Sequence, residues 1–239
     1  MSLILCIETG TNICSAALSH NGALLSLRES EEGRDHAQKL ASFIDELFRE
    51  NDIDAEELDA VAVGMGPGSY TGLRIGTSVA KGICYGADKP LIGISSLKSL
   101  AMVAVEDYNA GIIECGQIED MLLCPMIDAR RMEVYSAIYD SSGDELLPVA
   151  ARIIDEDSLS DFMPGKQMLI FGGGAFKCRE VMKRQGLVYA SVAPSARGMA
   201  ALADYKFQNG EFEDIAYFEP FYLKEFVAGV SKKNMLAGK

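Results

Sequence analysis

The sequence is poor in the residues that bind metals and nucleic acids. It has two histidines, His20 and His36, which lie 16 residues apart. Lys and Arg number 22 against 35 Asp and Glu, giving a net charge of −13. Because phosphate binding needs clustered Lys and Arg, a chain this acidic is not expected to hold a nucleic-acid backbone by itself. Any action on RNA should therefore be indirect, through a partner.

Signals for secretion, membrane insertion and disulfide bonding are also missing. The six cysteines form no C-x-x-C pair and mostly lie in apolar runs, which indicates buried, reduced thiols. No apolar run approaches the ~18 residues of a membrane span. The first residues lack the basic segment that precedes the apolar core of a signal peptide. We therefore expect a cytoplasmic protein with no membrane contact.

The most distinctive stretch present is GPGSYTGLRIG, which begins at Gly66. It follows an apolar run at residues 60–64 and precedes a helical pattern that reaches residue 85, so it predicts a strand-to-helix turn. In the predicted helix, Gly72, Gly76 and Ala80 recur every four residues and form a smooth stripe. Gly costs a helix about 1 kcal/mol relative to Ala, which indicates close packing there, either inside the domain or against a partner.

Apolar periodicity predicts an α/β chain with two similar halves. The first half has the order β-β-β-α-β-α-β with a further helix, and Asn21-Gly22 marks its first hairpin. The predicted strands and helices are, in chain order, residues 3–7, 13–19, 23–27, 35–50, 60–64, 71–85, 91–94, 96–105, 122–127, 132–139, 168–171, 175–184 and 195–205. The polar stretch around residues 108–120 indicates a boundary, giving subdomains 1–107 and 108–239, with the tail a candidate to pack back on the first.

The two halves align at an offset of 120 residues, which places Asp128 on Glu8. An acid then ends the first strand of each copy. This layout resembles the duplicated actin/sugar-kinase/Hsp70 (ribonuclease H-like) fold, in which two subdomains each have a mixed sheet flanked by helices. In the ATPases of that superfamily, the equivalent acids work around metal and phosphates.

A vestigial nucleotide site would use Glu8, Thr9, Asp128 and Gly173. The alternative is that both acids bond nearby backbone N–H groups in turns, and it is favoured because the first turn lacks the paired glycines that wrap phosphate. We expect no cofactor in the isolated chain and leave ATP open at an interface shared with a partner.

Several motifs resemble the TsaB family, also called YeaZ. They are ILCIET from Ile4, RDHAQ from Arg34, GPGSYTGLRIG from Gly66, PLIGISSL from Pro90 and PFYLK from Pro220. The resemblance covers the first hundred residues closely and the rest more loosely. It implies a role in the bacterial machinery that makes N6-threonylcarbamoyladenosine beside the anticodon of tRNAs reading codons that begin with A. In that machinery a separate enzyme makes threonylcarbamoyl-AMP, the paralogue TsaD transfers the group, and the ATPase TsaE joins them.

One segment distinguishes this chain from TsaD, which carries its metal through an H-x-x-x-H pair. In the similar segment here, residues 93–101, the two positions hold Ser96 and Leu100. A hydroxyl is a poor transition-metal ligand and Leu is none. We therefore expect no metal and no catalysis by this chain, and the resemblance implies a subunit that pairs with TsaD and through it with TsaE.

Two helices are candidates for the partner surface, and the isolated chain is expected to form a homodimer through the same surface. The candidate residues are His36, Leu40, Phe43, Leu47, Tyr70, Gly72, Leu73, Arg74, Gly76 and Ala80. From spacing alone, the same stripes could equally cover the chain's own sheet, and the family resemblance favours the partner. Two enzyme functions stay open as alternatives: a nucleotide hydrolase or kinase, and a glycoprotease-like peptidase, although no H-E-x-x-H motif supports the latter.

Overall fold

The computed structural model describes residues 1–30, 35–162 and 164–223. Predictions that rest on Arg34 or on Lys224 and the rest of the tail lie outside the described residues. The first sheet has five strands in the order β3-β2-β1-β4-β5. They are β1 (Leu3–Glu8), β2 (Cys14–His20), β3 (Ala23–Ser30), β4 (Ala60–Gly66) and β5 (Leu91–Ser95). The first three strands are antiparallel, and β4 and β5 run parallel to β1.

The second sheet repeats this topology. Its order is β8-β7-β6-β9-β10, with an antiparallel meander and two parallel strands. The strands are β6 (Met121–Asp128), β7 (Glu133–Tyr139), β8 (Glu145–Ile153), β9 (Gln167–Phe171) and β10 (Leu187–Tyr189). Glu8 and Asp128 therefore end equivalent strands, and the prediction of a duplicated α/β fold is confirmed.

Five α-helices join these strands in the described residues. They are α1 (His36–Asn51), α2 (Tyr70–Ala87), α3 (Ser96–Asn109), α4 (Ala175–Cys178) and α5 (Ala200–Gln208). Side chains cap α2 and α3, because the hydroxyls of Ser69 and Ser95 accept hydrogen bonds from backbone N–H groups in the first turn. The helix predicted over residues 175–184 ends at Cys178, since the chain then turns to bring β10 alongside β9.

The helices are exchanged between the two sheets. Helices α1 and α2 pack on one face of the first sheet, and α5 packs on its other face. Helix α3, whose last turn contains the predicted boundary at residue 107, packs in the core of the second sheet, where Leu97 and Leu100 lie among Leu123, Tyr139 and Phe171. A division of the chain at residue 107 would therefore assign most of α3 to the first subdomain, although the residues that α3 packs against belong to the second. Within the described residues, no helix combines the length and apolar character that crossing a membrane requires.

Candidate partner-binding surface

The first-subdomain residues of the predicted nucleotide site are buried. Glu8 and Thr9, where β1 ends, are each 1% exposed. The Oε1 atom of Glu8 accepts the N–H of Gly10 at 2.7 Å, which is the turn contact considered as the alternative. Burial raises the pKa of the Glu8 carboxyl above its ordinary 4.5. Thr9 donates its hydroxyl to the carbonyl of Gly72 at 2.8 Å, so neither side chain faces an open cleft.

Glycine backbone of β4 and of the turn that follows it packs against the end of β1, at Glu8 and Gly10. Ser69 donates its N–H to the carbonyl of Gly10 at 2.6 Å. A Cβ atom on Gly68 would lie 2.1 Å from that carbonyl oxygen, and one on Gly64 would lie 2.4 Å from Oε2 of Glu8. Only glycine fits at these two positions. Because the chain itself fills the space above the carboxyl, Glu8 and Thr9 do not fit a nucleotide ligand set.

The second-subdomain candidates lie at an open surface instead. The Asp128 side chain is 58% exposed and pairs with the Lys177 ammonium. Partial burial acts to raise the pKa of Asp128, but Lys177 and the N–H of Arg130 outweigh it and hold the pKa below the ordinary 3.8. Gly173 is exposed, with no atom within 4 Å of a Cβ built on it. The four candidates therefore do not share one open site.

The predicted small-residue stripe of α2 faces inward. A Cβ atom on Gly72 would lie 2.0 Å from the carbonyl oxygen of Thr9, and one on Gly76 would lie 2.3 Å from the Thr9 hydroxyl. Ala80 is fully buried, and Leu73 is 1% exposed. The hypothesis that a partner helix approaches along this stripe is wrong, because the end of β1 already occupies it.

The apolar stripe of α1 also covers the chain's own sheet. Leu40 and Leu47 are fully buried, and Phe43 packs partly buried against the same core. His36 is 9% exposed, and its Nε2 atom lies 3.1 Å from the carbonyl oxygen of Thr11. Of the ten residues predicted for a partner, only Phe43, Tyr70 and Arg74 are therefore more than marginally exposed.

The face of α2 that points outward carries a different set of residues. Gly82 and Gly86 are exposed, and a Cβ atom on either would meet no atom within 4 Å. Tyr85 is 86% exposed, while Ile75 and Val79 are half-buried. Sequence reasoning missed this face although its signal was present: Ser78, Gly82 and Gly86 also recur every four residues.

A groove of about 430 Å³ runs beside this outward face, between α1 and α2. Its lining residues are Ala37, Tyr70, Thr71, Arg74, Ile75, Ser78 and Val79. At one end, Arg74 donates to the hydroxyl of Tyr70 at 2.9 Å, and the ring of Tyr222 lies 5.0 Å from that of Tyr70. Tyr and Arg are enriched in protein interfaces. Tyr70 and Arg74 could therefore anchor a partner at this end of the groove, and their contacts with each other and with Tyr222 fix their positions.

The positions at which the resemblance to TsaD implies metal-binding histidines lie in the interior here. Ser96 is 1% exposed and Leu100 is fully buried. No group of three or more His, Cys, Asp or Glu that could hold a metal occurs among the described residues. Burial raises the pKa of the Cys6 and Cys124 thiols to about 12, so these two cysteines are protonated and are poor nucleophiles.

Comparison with known proteins supplies the family. A family model described as TsaD, tRNA N6-adenosine threonylcarbamoyltransferase, matches residues 30–238. The tRNA threonylcarbamoyladenosine biosynthesis protein TsaB of Escherichia coli is 30% identical over 234 residues, covering 94% of this chain and 96% of that protein. This chain belongs to the TsaB (YeaZ) family.

Two further TsaB-family proteins agree with this assignment. TsaB of Haemophilus influenzae is 31% identical, with 76% of this chain and 62% of that protein aligned. The solved structure of YeaZ from Pseudomonas aeruginosa superposes with a TM-score of 0.76 at 26% identity, covering 93% of this chain and all of that one. The likeness to TsaB proteins thus extends well beyond the first hundred residues, where the sequence motifs are concentrated.

Proposed function

We propose that the chain is a non-catalytic subunit in tRNA threonylcarbamoyladenosine biosynthesis. It pairs with a TsaD-type transferase, and through it with the ATPase TsaE, for transfer to the adenosine beside the anticodon of tRNAs reading codons that begin with A. The names of its relatives support the pathway. The observation that carries the proposed role is the outward face of α2, where apolar and small residues lie exposed beside a groove.

The outward face has the chemistry of a protein interface. Gly82 and Gly86 leave room for a partner backbone to come close. The exposed ring of Tyr85 would become buried in such an interface. Ile75 and Val79 lie half-buried beside them and would become fully buried. In the absence of the transferase, the same face in a second copy of the chain is a suitable partner, because a twofold axis can place identical patches together.

The interior supports an assisting role over catalysis. Glu8 is buried against Gly64 and Gly10, and the two positions at which the resemblance implies metal-binding histidines in TsaD hold Ser96 and Leu100. An enzyme needs a reactive group that substrate can reach, and these residues are out of reach. Any ATP that the complex requires is held by the partner or at the shared interface, away from Glu8.

The test is a co-purification and sizing experiment with the TsaD of the same organism, using wild type and Gly82→Arg. Arginine at this open position points into the space that a partner would occupy. It should abolish the complex and the homodimer. Because Arg is a better helix former than Gly, by about 1 kcal/mol, the variant's Tm should be equal or higher at a dilution at which both proteins are monomeric. Loss of pairing could then not be attributed to misfolding.

Gly173→Arg is the matched control, since Gly173 is also open but lies on the second subdomain. It should pair like wild type. Wild-type pairing by Gly82→Arg would mean that this face of α2 is not the interface. Absence of any wild-type complex, together with metal-dependent ATP hydrolysis or peptide cleavage by the chain alone, would overturn the proposed role in favour of one of the two enzyme alternatives.

A further inference from the structure

Helix α2 contains no acidic residue, although the chain as a whole has a net charge of −13. Its two charged residues are Arg74 and Lys81, which lie seven positions apart. Residues at that spacing share one face of a helix, two turns or about 10.5 Å apart. Ser78 and Tyr85 lie on the same face. Both cations therefore belong to the outward face of α2, on which the proposed function rests.

The guanidinium of Arg74 is held by aromatic side chains. It donates to the hydroxyl of Tyr70 at 2.9 Å, and its central carbon lies 5.3 Å from the centroid of the Tyr70 ring. The ring of Tyr222 packs against that of Tyr70, with centroids 5.0 Å apart. The preceding residue, Phe221, fixes this segment by donating its N–H to the carbonyl of Met65 at 2.7 Å. These contacts orient the guanidinium before a partner binds.

Arg74 differs from the other arginines that the structure describes in the first subdomain. Arg28 and Arg49 each pair with carboxylates of α1, and together they engage all three acidic residues of that helix. Arg74 forms no ion pair within the described part of the chain. Because a guanidinium bonds a carboxylate more strongly than a neutral hydroxyl, Arg74 keeps the capacity to bind a carboxylate from outside the chain.

Two acids of the chain lie near this end of the groove without pairing with Arg74. Asp35 precedes the groove residue Ala37 by two positions. Partial burial and the charge of Glu219 act to raise the pKa of the Tyr222 hydroxyl, while the charge of Arg74 acts to lower it. Asp35 and Glu219 are both exposed, so water and salt screen them. Neither replaces a carboxylate in direct contact with the guanidinium.

The groove beside α2 combines this cation with apolar residues. Ala37, Ile75 and Val79 line it together with Arg74. Along the helix axis, Val79 lies five residues, or about 7.5 Å, from Arg74. A partner that fills the groove therefore needs an apolar side chain to cover Val79 and an acidic one, about 7.5 Å further along, to meet Arg74.

We propose that the partner transferase presents a carboxylate to Arg74, and that α2 thereby favours the transferase over a second copy of this chain. This inference rests on the proposed function and concerns the same surface. Two copies paired through α2 would bring four cations together, and neither helix would supply a carboxylate. The acids of α1 are already engaged by Arg28 and Arg49. Because like charges across an interface are unfavourable, the homodimer is the weaker of the two assemblies.

The test compares the two associations of the full chain at salt concentrations from about 50 to about 500 mM. Isothermal titration calorimetry measures binding to the transferase of the same organism, and analytical ultracentrifugation measures self-association. The affinity for the transferase should fall as salt rises, because salt screens the attraction between Arg74 and the carboxylate. Self-association should become tighter over the same range, because salt screens the repulsion between the two α2 helices.

Arg74→Gln removes the charge and keeps a side chain of similar length. At about 150 mM salt its affinity for the transferase should fall about tenfold, as expected for one lost hydrogen bond between charged groups. The dependence of this affinity on salt should also become weaker. Self-association should not weaken, because one source of repulsion is removed. The Tm should equal that of wild type, since the Arg74 side chain is exposed.

Lys166→Gln is the matched control, since it also removes one exposed positive charge. Lys166 directly precedes β9 of the second sheet, whereas α2 packs on the first. This variant should bind the transferase like wild type. A second pair of variants tests the support of the guanidinium: Tyr222→Ala should weaken transferase binding severalfold, and Tyr222→Phe, which keeps the ring, should bind like wild type.

Three outcomes would contradict the inference, and they separate it from the proposed function. Wild-type transferase affinity in Arg74→Gln would overturn it, and if Gly82→Arg still abolished the complex, the proposed function would stand. An equal fall in both associations would mean that Arg74 shapes the face without meeting a carboxylate, which also refutes only the inference. If the wild-type chain forms no complex with the transferase, the proposed function fails and the inference fails with it.

Discussion

Glu8 is a buried acid that the proposed function does not use. Its Oε2 atom has no hydrogen-bond partner within the residues described by the structure, while Oε1 accepts the backbone N–H of Gly10. A charged carboxylate in such a place would be strongly destabilising. Because burial disfavours the charged form, the pKa of Glu8 is raised.

Glu8→Gln should therefore stabilise the protein increasingly as pH rises. The folded-state pKa of Glu8 lies above its unfolded value, so the wild type binds a proton more tightly when folded. Its stability is greatest below about pH 4.3 and falls as pH rises through the folded-state pKa. Gln keeps the shape and stays neutral, so that loss disappears. The measurement is Tm from pH 4 to 8 for both proteins.

The Tm difference between Glu8→Gln and wild type should grow with pH over this range. Asp128→Asn is a useful comparison at the equivalent strand end, since the pKa of Asp128 is lowered and its ion pair is lost in the variant. That variant should be neutral or slightly destabilised at pH 7, because exposed pairs contribute little. A Tm difference for Glu8→Gln that is independent of pH would contradict a raised pKa.

Sequence alone could align Glu8 with Asp128, but it could not show that they differ in environment. Both acids end the first strand of a repeat, and both accept a nearby N–H, as the turn interpretation held. What separates them is Gly64 of β4, some 56 residues along the chain from Glu8, whose backbone lies against the carboxyl of the first acid. Contacts of that range leave no local signal beyond the glycines themselves.

At the scale of single elements, α2 carries small residues on two of its faces. Gly72, Gly76 and Ala80 lie against β1, whereas Ser78, Gly82 and Gly86 lie open. Periodicity predicted the helix, and the sequence analysis identified one of its two stripes of small residues, but spacing by four residues does not show which face of a helix points toward the core. The inward face was decided by the sheet, through the contact of Gly72 and Gly76 with Thr9.

The two stripes should respond in opposite ways to the same substitution. Gly76→Ala would place a Cβ atom 2.3 Å from the Thr9 hydroxyl, so it should destabilise the fold by about 1–3 kcal/mol, as overpacked cores do. Gly82→Ala meets no atom and should stabilise it by up to about 1 kcal/mol, because Ala is the better helix former. Urea denaturation of the two single variants measures this contrast. Equal effects would mean that the helix is rotated relative to the structure.

Other elements escaped prediction because tertiary pairing defines them. Strand β10 has only three residues and owes its conformation to its parallel pairing with β9. Strand β8 is half-exposed along much of its length and pairs with β7 alone, so its apolar alternation is weak. The well-predicted strands, such as β1 and β6, are nearly continuous buried runs, for which composition alone is informative.

At the scale of the whole molecule, the exchange of helices joins the two subdomains. Strand β5 ends at Ser95 and α3 begins at Ser96, so no linker separates the first sheet from the second core. Arg197, just before α5, pairs with Glu106 and Asp107 at the end of α3. The sequence placed a boundary between residues 107 and 108, inside the last turn of α3, and it could not reveal that α3 packs onto the second sheet.

This coupling predicts that the molecule unfolds as one cooperative unit. Met199 is fully buried against the first sheet, and Met199→Ala should cost about 2–5 kcal/mol through lost burial and a cavity. Because the residues around Met199 pack tightly on α3, where a Cβ atom on Gly198 would lie 2.3 Å from the carbonyl oxygen of Ser99, the loss should reach the second sheet. Hydrogen exchange should show equal reductions in the opening free energy of β1 and β6. Reduced protection of β1 with wild-type protection of β6 would mean that the subdomains unfold separately.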